Sequence, residues 1–141
     1  MFFFDRFAKH SKNFEIDSDN LIAKEDGNRL SFPLVFNNKF LLTVNTNNET
    51  SLITEFSVTY MFENRRELSD ENFSSFIEIS DSAAKAFTNS ESTEEIFSEL
   101  SLITKSDALK DNHLTFKKGF YTFSFVSNEI GFYFTASTDR L

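Results

Sequence analysis

Cysteine and tryptophan are absent from this chain, and glycine and proline are scarce, with three Gly and one Pro in 141 residues. Without Cys there is no disulfide framework, no thiolate metal site and no cysteine nucleophile. Three Gly are too few for a glycine-rich phosphate loop, and the sequence contains no GxGxxG, GxxxxGK or GxSxG motif. The two His, His10 and His113, lack the spacing of a zinc site. We therefore predict no cofactor, no metal site and no enzymatic activity.

Long apolar runs are also missing from the sequence. No segment approaches the ~20 apolar residues that a membrane-spanning helix needs. The apolar opening, Met1 to Phe4, is interrupted by Asp5 and Arg6 before the core of a signal peptide can form. We therefore expect a soluble, cytoplasmic protein.

Basic residues are fewer than acidic residues, and the net charge of −8 is unevenly distributed along the chain. The segment 63–111 holds 12 Asp or Glu against five Lys or Arg, whereas the rest of the chain holds 10 against nine. Nucleic acids and anionic membranes need a positive protein surface, so we predict neither as a partner. A basic protein is the natural complement of this acidic segment, although a role in solubility would also explain it.

Phenylalanine, in contrast, is abundant, with 20 Phe in the chain. Each ring brings a large apolar area and prefers edge-to-face or offset contacts with other rings. A chain of this length is predicted to form one domain, residues 1–141, with a core of useful size. The bias towards Phe is consistent either with AT-rich coding or with a function of the rings.

Alternation of apolar and polar residues is clearest in the segment 52–62. Phe56, Val58 and Tyr60 fall on one face of an extended chain, and residues such as Ser57 fall on the other. Because successive side chains of a strand point to opposite sides, this pattern predicts a half-buried strand. We place it at the centre of the sheet.

Further strands are predicted on both sides of this central strand. Residues 40–44 alternate in the same way and lead into a polar run, 45–51, that is typical of a hairpin loop. An Asp-Gly dipeptide at 26–27 predicts a tight hairpin, because both central residues of a type I′ turn need positive φ. The segments 120–126 and 130–135 are predicted to form a C-terminal hairpin.

The start of the chain has helical rather than strand periodicity. Phe3, Phe4 and Phe7 share one face, opposite Asp5 and Arg6. This pattern predicts a short amphipathic helix. The helix could be an arm that docks on a partner, but its apolar face favours packing on the protein's own core.

Two consecutive helices are predicted after the central strand. The first begins at the N-cap Ser69, and Glu78 lies on its polar face, where we expect substitution to change stability little. Its apolar stripe is Phe73, Phe76, Ile77, Ser80, Ala83, Ala84 and Phe87. The second helix begins with a capping box of Ser92 and Glu95 and ends near Lys105. Its buried face is predicted to be Ile96, Phe97, Leu100 and Ile103.

The second helix also carries the candidate partner-binding site. Glu91, Glu95 and Glu99 are four residues apart, so they are predicted to stack on one helix face, where like charges destabilise a helix. A helix selected only for stability would hold a Lys at one of these positions. We interpret the three Glu as a surface for a basic protein partner; a merely solvated face is the alternative.

These patterns together predict an α+β fold. Its mostly antiparallel sheet of about six strands has two consecutive helices inserted between the central strand and the C-terminal hairpin. The C-terminal hairpin contributes four rings that either pack closely or line a pocket, and we favour close packing. They are Phe123, Phe125, Phe132 and Phe134.

No motif in the sequence identifies a protein family, and its size, composition and charge indicate only classes of function. The first hypothesis is a small acidic protein-binding module that neutralises or escorts a basic partner, in the manner of an immunity protein or a secretion chaperone. The alternative is a carrier of an apolar small ligand in a Phe-lined pocket of a curved sheet. An enzyme that uses carboxylates on such a pocket is a third hypothesis.

Overall fold

The computed structural model describes residues 2–16, 21–47, 49–50, 52–64 and 68–139. These residues form an antiparallel sheet and accompanying helices, which confirms the predicted α+β class. The strands are β1 (Lys24–Asp26), β2 (Arg29–Phe36), β3 (Phe40–Asn47), β4 (Ile53–Met61), β5 (Asn112–Lys118), β6 (Tyr121–Ser127) and β7 (Gly131–Thr138). The helices are α1 (Phe2–His10), α2 (Asp70–Thr88), α3 (Glu94–Glu99) and α4 (Lys105–Ala108). None of the helices in these ranges is long and apolar enough to span a membrane.

The seven strands follow the order β1-β2-β3-β4-β7-β6-β5, one strand more than predicted. Every neighbouring pair is antiparallel. β4 lies in the middle of the sheet, as predicted for the segment 52–62. Helices α2 to α4 connect it to β5 at the far edge, and the chain then returns through β6 to β7, which pairs with β4.

One face of the sheet is buried and the other is open. On β4, Phe56, Val58 and Tyr60 are buried, whereas Met61 on the alternate face is exposed. The buried side chains follow the period of two that a half-covered antiparallel sheet produces. Helices α1, α2 and α3 lie against this buried face.

Phenylalanine rings connect the helices to the sheet. The ring centroid of Phe56 on β4 lies 6.2 Å from that of Phe3 on α1 and 5.4 Å from that of Phe87 on α2. On α3, Phe97 lies 5.7 Å from Phe134 of β7. The core is therefore a continuous cluster of rings to which α1 belongs, which confirms that the N-terminal helix packs on the protein's own core.

Helix α2 begins as predicted and buries more of its surface than predicted. The hydroxyl of Ser69 accepts a hydrogen bond of 3.0 Å from the N–H of Asn72. Besides the predicted stripe, Ile79, Ser82 and Ala86 are fully buried. The reason is that α1 packs beside α2, where Arg6 donates a hydrogen bond of 2.7 Å to the Ala86 carbonyl.

Two hairpin boundaries differ from the prediction. The turn between β1 and β2 consists of Gly27 and Asn28 rather than Asp26 and Gly27. Gly27 has a φ of 62°, which glycine adopts without strain. β3 continues to Asn47, so the polar run 45–51 begins inside a strand. Asn45 and Asn47 fit there because they lie on the open face of the sheet, whereas Thr46 lies on the buried face.

The segment predicted as the second helix forms only the shorter helix α3, and α4 begins where that helix was predicted to end. Ser101 has a φ of 56°, in the left-handed region, and this residue turns the chain after α3. As a result Leu102 enters the core, whereas the side chain of Ile103 is 61% exposed. The prediction that Ile103 belongs to the buried face is therefore wrong. Lys105 does not end a helix but is the first residue of α4.

Candidate partner-binding site

The three Glu of the predicted site lie around α3 but do not form a helical stack. Helix α3 begins only after Thr93, so Glu91 lies in the preceding loop. Glu95 is in the first turn of α3 and Glu99 is its last residue. All three Glu are exposed. The geometry predicted for Glu91 is wrong, because this residue precedes the N-cap Thr93 and therefore lies outside α3.

Two of these three carboxylates face a lysine of another element. Lys9 Nζ of α1 lies 3.7 Å from Glu91 Oε1, and Lys118 Nζ of β5 lies 3.9 Å from Glu95 Oε2. The four side chains are more than half exposed, and exposed ion pairs of this kind contribute about 0–1 kcal/mol. Glu99 has no ion pair with the residues that the structure describes. All three carboxylates are therefore accessible to another cation.

Glu94 is a fourth exposed carboxylate in the same place. It is the first residue of α3 and, like Glu99, it forms no ion pair within the described ranges. The i, i+4 spacing on which the sequence prediction rests passes over this position. A signal for it does exist, because acidic residues are favoured in the first turn of a helix.

Asp81 on α2 ties α3 to α2. It accepts a hydrogen bond from the hydroxyl of Thr93, and Lys85 Nζ lies 3.0 Å from its other carboxylate oxygen. Asp81 and Lys85 thus form an i, i+4 ion pair on α2. The predicted capping box of Ser92 and Glu95 is wrong, because Thr93 is the N-cap and its hydroxyl is directed to Asp81 instead of to the helix backbone.

A groove of about 450 Å³ separates α2 from α3. Its apolar lining comes from Phe73 and Ile77 of α2, Phe97 of α3, and Ile103. Phe97 is buried, Phe73 and Ile77 are half-buried, and Ile103 is exposed. The groove therefore presents apolar surface to solvent on the helical side of the protein.

Carboxylates border this groove. Glu78, Asp81 and Glu94 line it, and no Lys or Arg is among the described residues that do so. Glu78 accepts hydrogen bonds from Asn13 Nδ2 at 2.6 Å, the Asn13 N–H at 3.1 Å and Ser11 Oγ at 3.3 Å. These donors are neutral, so they leave the negative charge of Glu78 uncompensated. The groove therefore combines an apolar floor with a negative rim.

Lysines at α4 act on two further carboxylates. Lys105 Nζ lies 2.7 Å from Asp70 Oδ1, and its hydrogen bond, followed by its charge, lowers the pKa of Asp70. Lys110 Nζ lies 3.3 Å from Asp107 Oδ1, and this hydrogen bond lowers the pKa of Asp107. Both carboxylates are thus ionised at neutral pH. Because each is paired with a lysine, neither adds net negative charge to the helical layer.

The ring cluster of the carrier hypothesis is packed. Phe123, Phe125, Phe132 and Phe134 are all buried, with ring centroids 5.4 Å apart for Phe125 and Phe132 and 6.4 Å apart for Phe123 and Phe134. Phe76 of α2 lies 5.2 Å from Phe132. These are the distances of rings in contact. The close packing favoured from the sequence is what the structure has.

Comparisons with protein-family models, with curated proteins and with solved structures found no match to this chain. Within the described ranges, no group of three or more His, Cys, Asp or Glu is arranged to hold a metal ion. A fold by itself does not define a function. The surface around α3 is therefore the main indication of function.

Proposed function

We propose that this protein is a small acidic binding module that attaches to a basic protein through the carboxylates around α3. Glu91, Glu95 and Glu99 form the contact surface, together with Glu94. Such a module neutralises or escorts its partner, as an immunity protein or a secretion chaperone does. The observation that carries the proposal is the exposure of all four side chains, none of which has a lysine closer than 3.7 Å.

Electrostatics gives this surface a defined role in association. A net charge of −8, concentrated in the helical segment, attracts a basic protein before contact and accelerates the encounter. The long ion pairs of Glu91 with Lys9 and of Glu95 with Lys118 are easily exchanged for ion pairs with the partner. Because the charges are exposed, salt should weaken the association strongly.

The ring packing favours the binding module over the carrier. A ligand in the sheet would have to displace rings that now contact one another, such as Phe125 and Phe132. Interiors of this kind are close-packed, and opening them removes favourable contacts. Binding at the helical surface requires no such opening.

The test is affinity purification from the native cell with the double variant Glu95→Lys/Glu99→Lys. The matched control is Glu49→Lys/Glu129→Lys, which changes the net charge equally at exposed positions in two hairpin loops. We expect wild type and control to recover the same basic protein, in amounts that fall as salt rises to about 0.15 M and beyond. The α3 variant should recover little of it.

Circular dichroism spectra of the three proteins should coincide, because all four substituted residues are exposed. Equal recovery by the two double variants would contradict the proposal. It would mean that the carboxylates around α3 affect binding only through the net charge of the protein.

A further inference from the structure

The groove between α2 and α3 contains an apolar side chain that the fold directs outward. Ser101 adopts a left-handed conformation that residues other than Gly rarely adopt, and the chain turns there. Leu102 consequently points into the core and Ile103 into the groove. A single exposed Ile is ordinary, but Ile103 lines the same groove as Phe73 and Ile77.

The carboxylates at the rim of the groove favour a positively charged molecule as its occupant. Glu94 forms no ion pair with a described residue, and Glu78 is bound only by neutral donors. Asp81, the third carboxylate of the rim, is already paired with Lys85. The carboxylates of Glu78 and Glu94 are therefore available to pair with a cation of a partner. Glu95 and Glu99 are exposed on the same helix but do not line the groove.

We propose that this groove binds the apolar face of a basic amphipathic helix of the partner protein. The inference rests on the proposed function and deepens it: the carboxylates around α3 attract the partner, and the groove receives its apolar side chains. A helix that docks in a groove uses anchors at i, i+3 or i+4 and i+7. Here Lys or Arg on both sides of these anchors meet Glu78 and Glu94.

The dimensions and the charge of the site support this occupant. A volume of about 450 Å³ lies within the roughly 300–1,000 Å³ of sites that enclose small ligands, so it accommodates a few side chains. A second copy of this chain is disfavoured, because its net charge of −8 would bring more carboxylates towards the rim. Charge complementarity therefore points to a basic helix from another protein.

The probe is a synthetic amphipathic peptide with Leu at helical spacing and Lys at the flanking positions. A second peptide replaces each Leu with Ser and keeps every Lys. Binding to the full chain is measured by fluorescence anisotropy at two salt concentrations. We expect the Leu peptide to bind more tightly than the Ser peptide, and the difference to persist at high salt, because burial of apolar surface is not screened.

Ile103→Ser tests the groove itself, and Ile130→Ser is its matched control. The two Ile side chains are 61% and 63% exposed, so neither change should affect the fold, but Ile130 lies in the turn before β7. We expect Ile103→Ser to weaken binding of the Leu peptide about tenfold, and Ile130→Ser to leave it unchanged. Glu95→Lys/Glu99→Lys should weaken binding of both peptides, mainly at low salt.

Three outcomes would overturn the inference: no binding of the Leu peptide to wild type, equal binding of the two peptides, or equal affinity of the two Ser variants. Each leaves the proposed function to be judged separately by recovery of the native partner with the α3 charge variant. Sedimentation of wild type and of Ile103→Ser tests whether a second copy of this chain occupies the groove instead. A dimer that only wild type forms would assign the groove to a second copy and contradict the proposal.

Discussion

Thr93 donates its hydroxyl proton to the carboxylate of Asp81, and this bond joins the start of α3 to the middle of α2. Thr93 is only 5% exposed, and Lys85 neutralises the carboxylate from its other side. Helix α3 has six residues, too few for a helix to be stable by itself. Its position depends on such tertiary contacts, and so does the groove that α3 forms with α2.

The bond between Thr93 and Asp81 gives the first prediction. Thr93→Val keeps the shape of the side chain and removes the hydroxyl. We expect it to lower the free energy of unfolding by about 1–3 kcal/mol, because a hydrogen bond to a charged group is lost in a partly buried place. Urea denaturation measures the change. The control is Thr115→Val on the exposed face of β5, where the change should stay within about 0.5 kcal/mol. Equal effects at both positions would contradict the structural role of the bond.

The core face of α2 gives the second prediction. Phe76 is completely buried, and its ring centroid lies 5.2 Å from that of Phe132 and 6.4 Å from that of Phe125. Phe76→Ala should therefore cost about 3–5 kcal/mol, a large part of the stability of an ordinary domain. Ser74→Ala, at an exposed position of the same helix, should change the denaturation midpoint little. Similar midpoints for the two variants would refute the packing described for α2.

Glu78 contributes more to stability than its position in the sequence predicts. It lies on the polar face of α2, as predicted, but it accepts three hydrogen bonds from Asn13 and Ser11 and so holds the segment after α1 on the helix. Glu78→Ala should cost about 1–2 kcal/mol rather than nothing. Amide hydrogen exchange should also become faster in residues 11–16 and remain unchanged in β4. Unchanged exchange in residues 11–16 would argue against this anchoring.

The elements that the sequence predicts well are those with local causes. The central strand, the amphipathic face of α1 and the N-cap Ser69 each follow from side-chain periodicity or from one residue next to a helix. None of these three features requires knowledge of a distant contact. Close packing of the C-terminal rings does require it, and the sequence leaves a pocket open as the alternative.

The site was harder to predict because its geometry depends on distant contacts. Asp81, 12 residues from Thr93, accepts the hydroxyl that would otherwise cap α3. Glu91 precedes this N-cap, so the predicted stack of Glu91 with Glu95 does not form. Ile103 is turned outward by the left-handed Ser101, which no periodicity reveals. The groove between α2 and α3 exists only in the folded arrangement. Residue spacing along one helix therefore reveals part of the acidic surface but not the apolar lining of the groove.

The close approach of β7 to β4 gives the fourth prediction. A Cβ atom added to Gly131 would lie 2.1 Å from the carbonyl oxygen of Tyr60, at the point where the two strands begin to pair. Gly131→Ala should thus force the strands apart and cost about 1–3 kcal/mol or more. Gly119→Ala introduces an unfavourable positive φ but meets no atom within 4 Å, so it should cost only about 1–2 kcal/mol. A thermal melt in which Gly119→Ala is the less stable variant would contradict this register.

The contact between Lys105 and Asp70 gives the last prediction, which concerns pH. The hydrogen bond and charge of Lys105 lower the pKa of Asp70 in the folded protein. The resulting stabilisation is present above the pKa that Asp70 has in the unfolded chain, and it is lost as the pH falls through the lower folded pKa. In Lys105→Met the pKa of Asp70 should rise towards its ordinary value. A carboxyl-carbon NMR titration measures this shift, and the pKa of Asp107, which Lys110 lowers, is the internal control.

Lys105 also donates a hydrogen bond of 3.1 Å to the Leu68 carbonyl, so Lys105→Met removes two interactions. Only the interaction with Asp70 titrates in acid, and a double-mutant cycle with Asp70→Asn separates the two. The stability difference between wild type and Lys105→Met should shrink as the pH falls through the acid range. In the Asp70→Asn background the same substitution should have an effect that does not vary over that range, because the Leu68 carbonyl does not titrate. Parallel pH dependence in the two backgrounds would show that Lys105 acts on a different carboxylate.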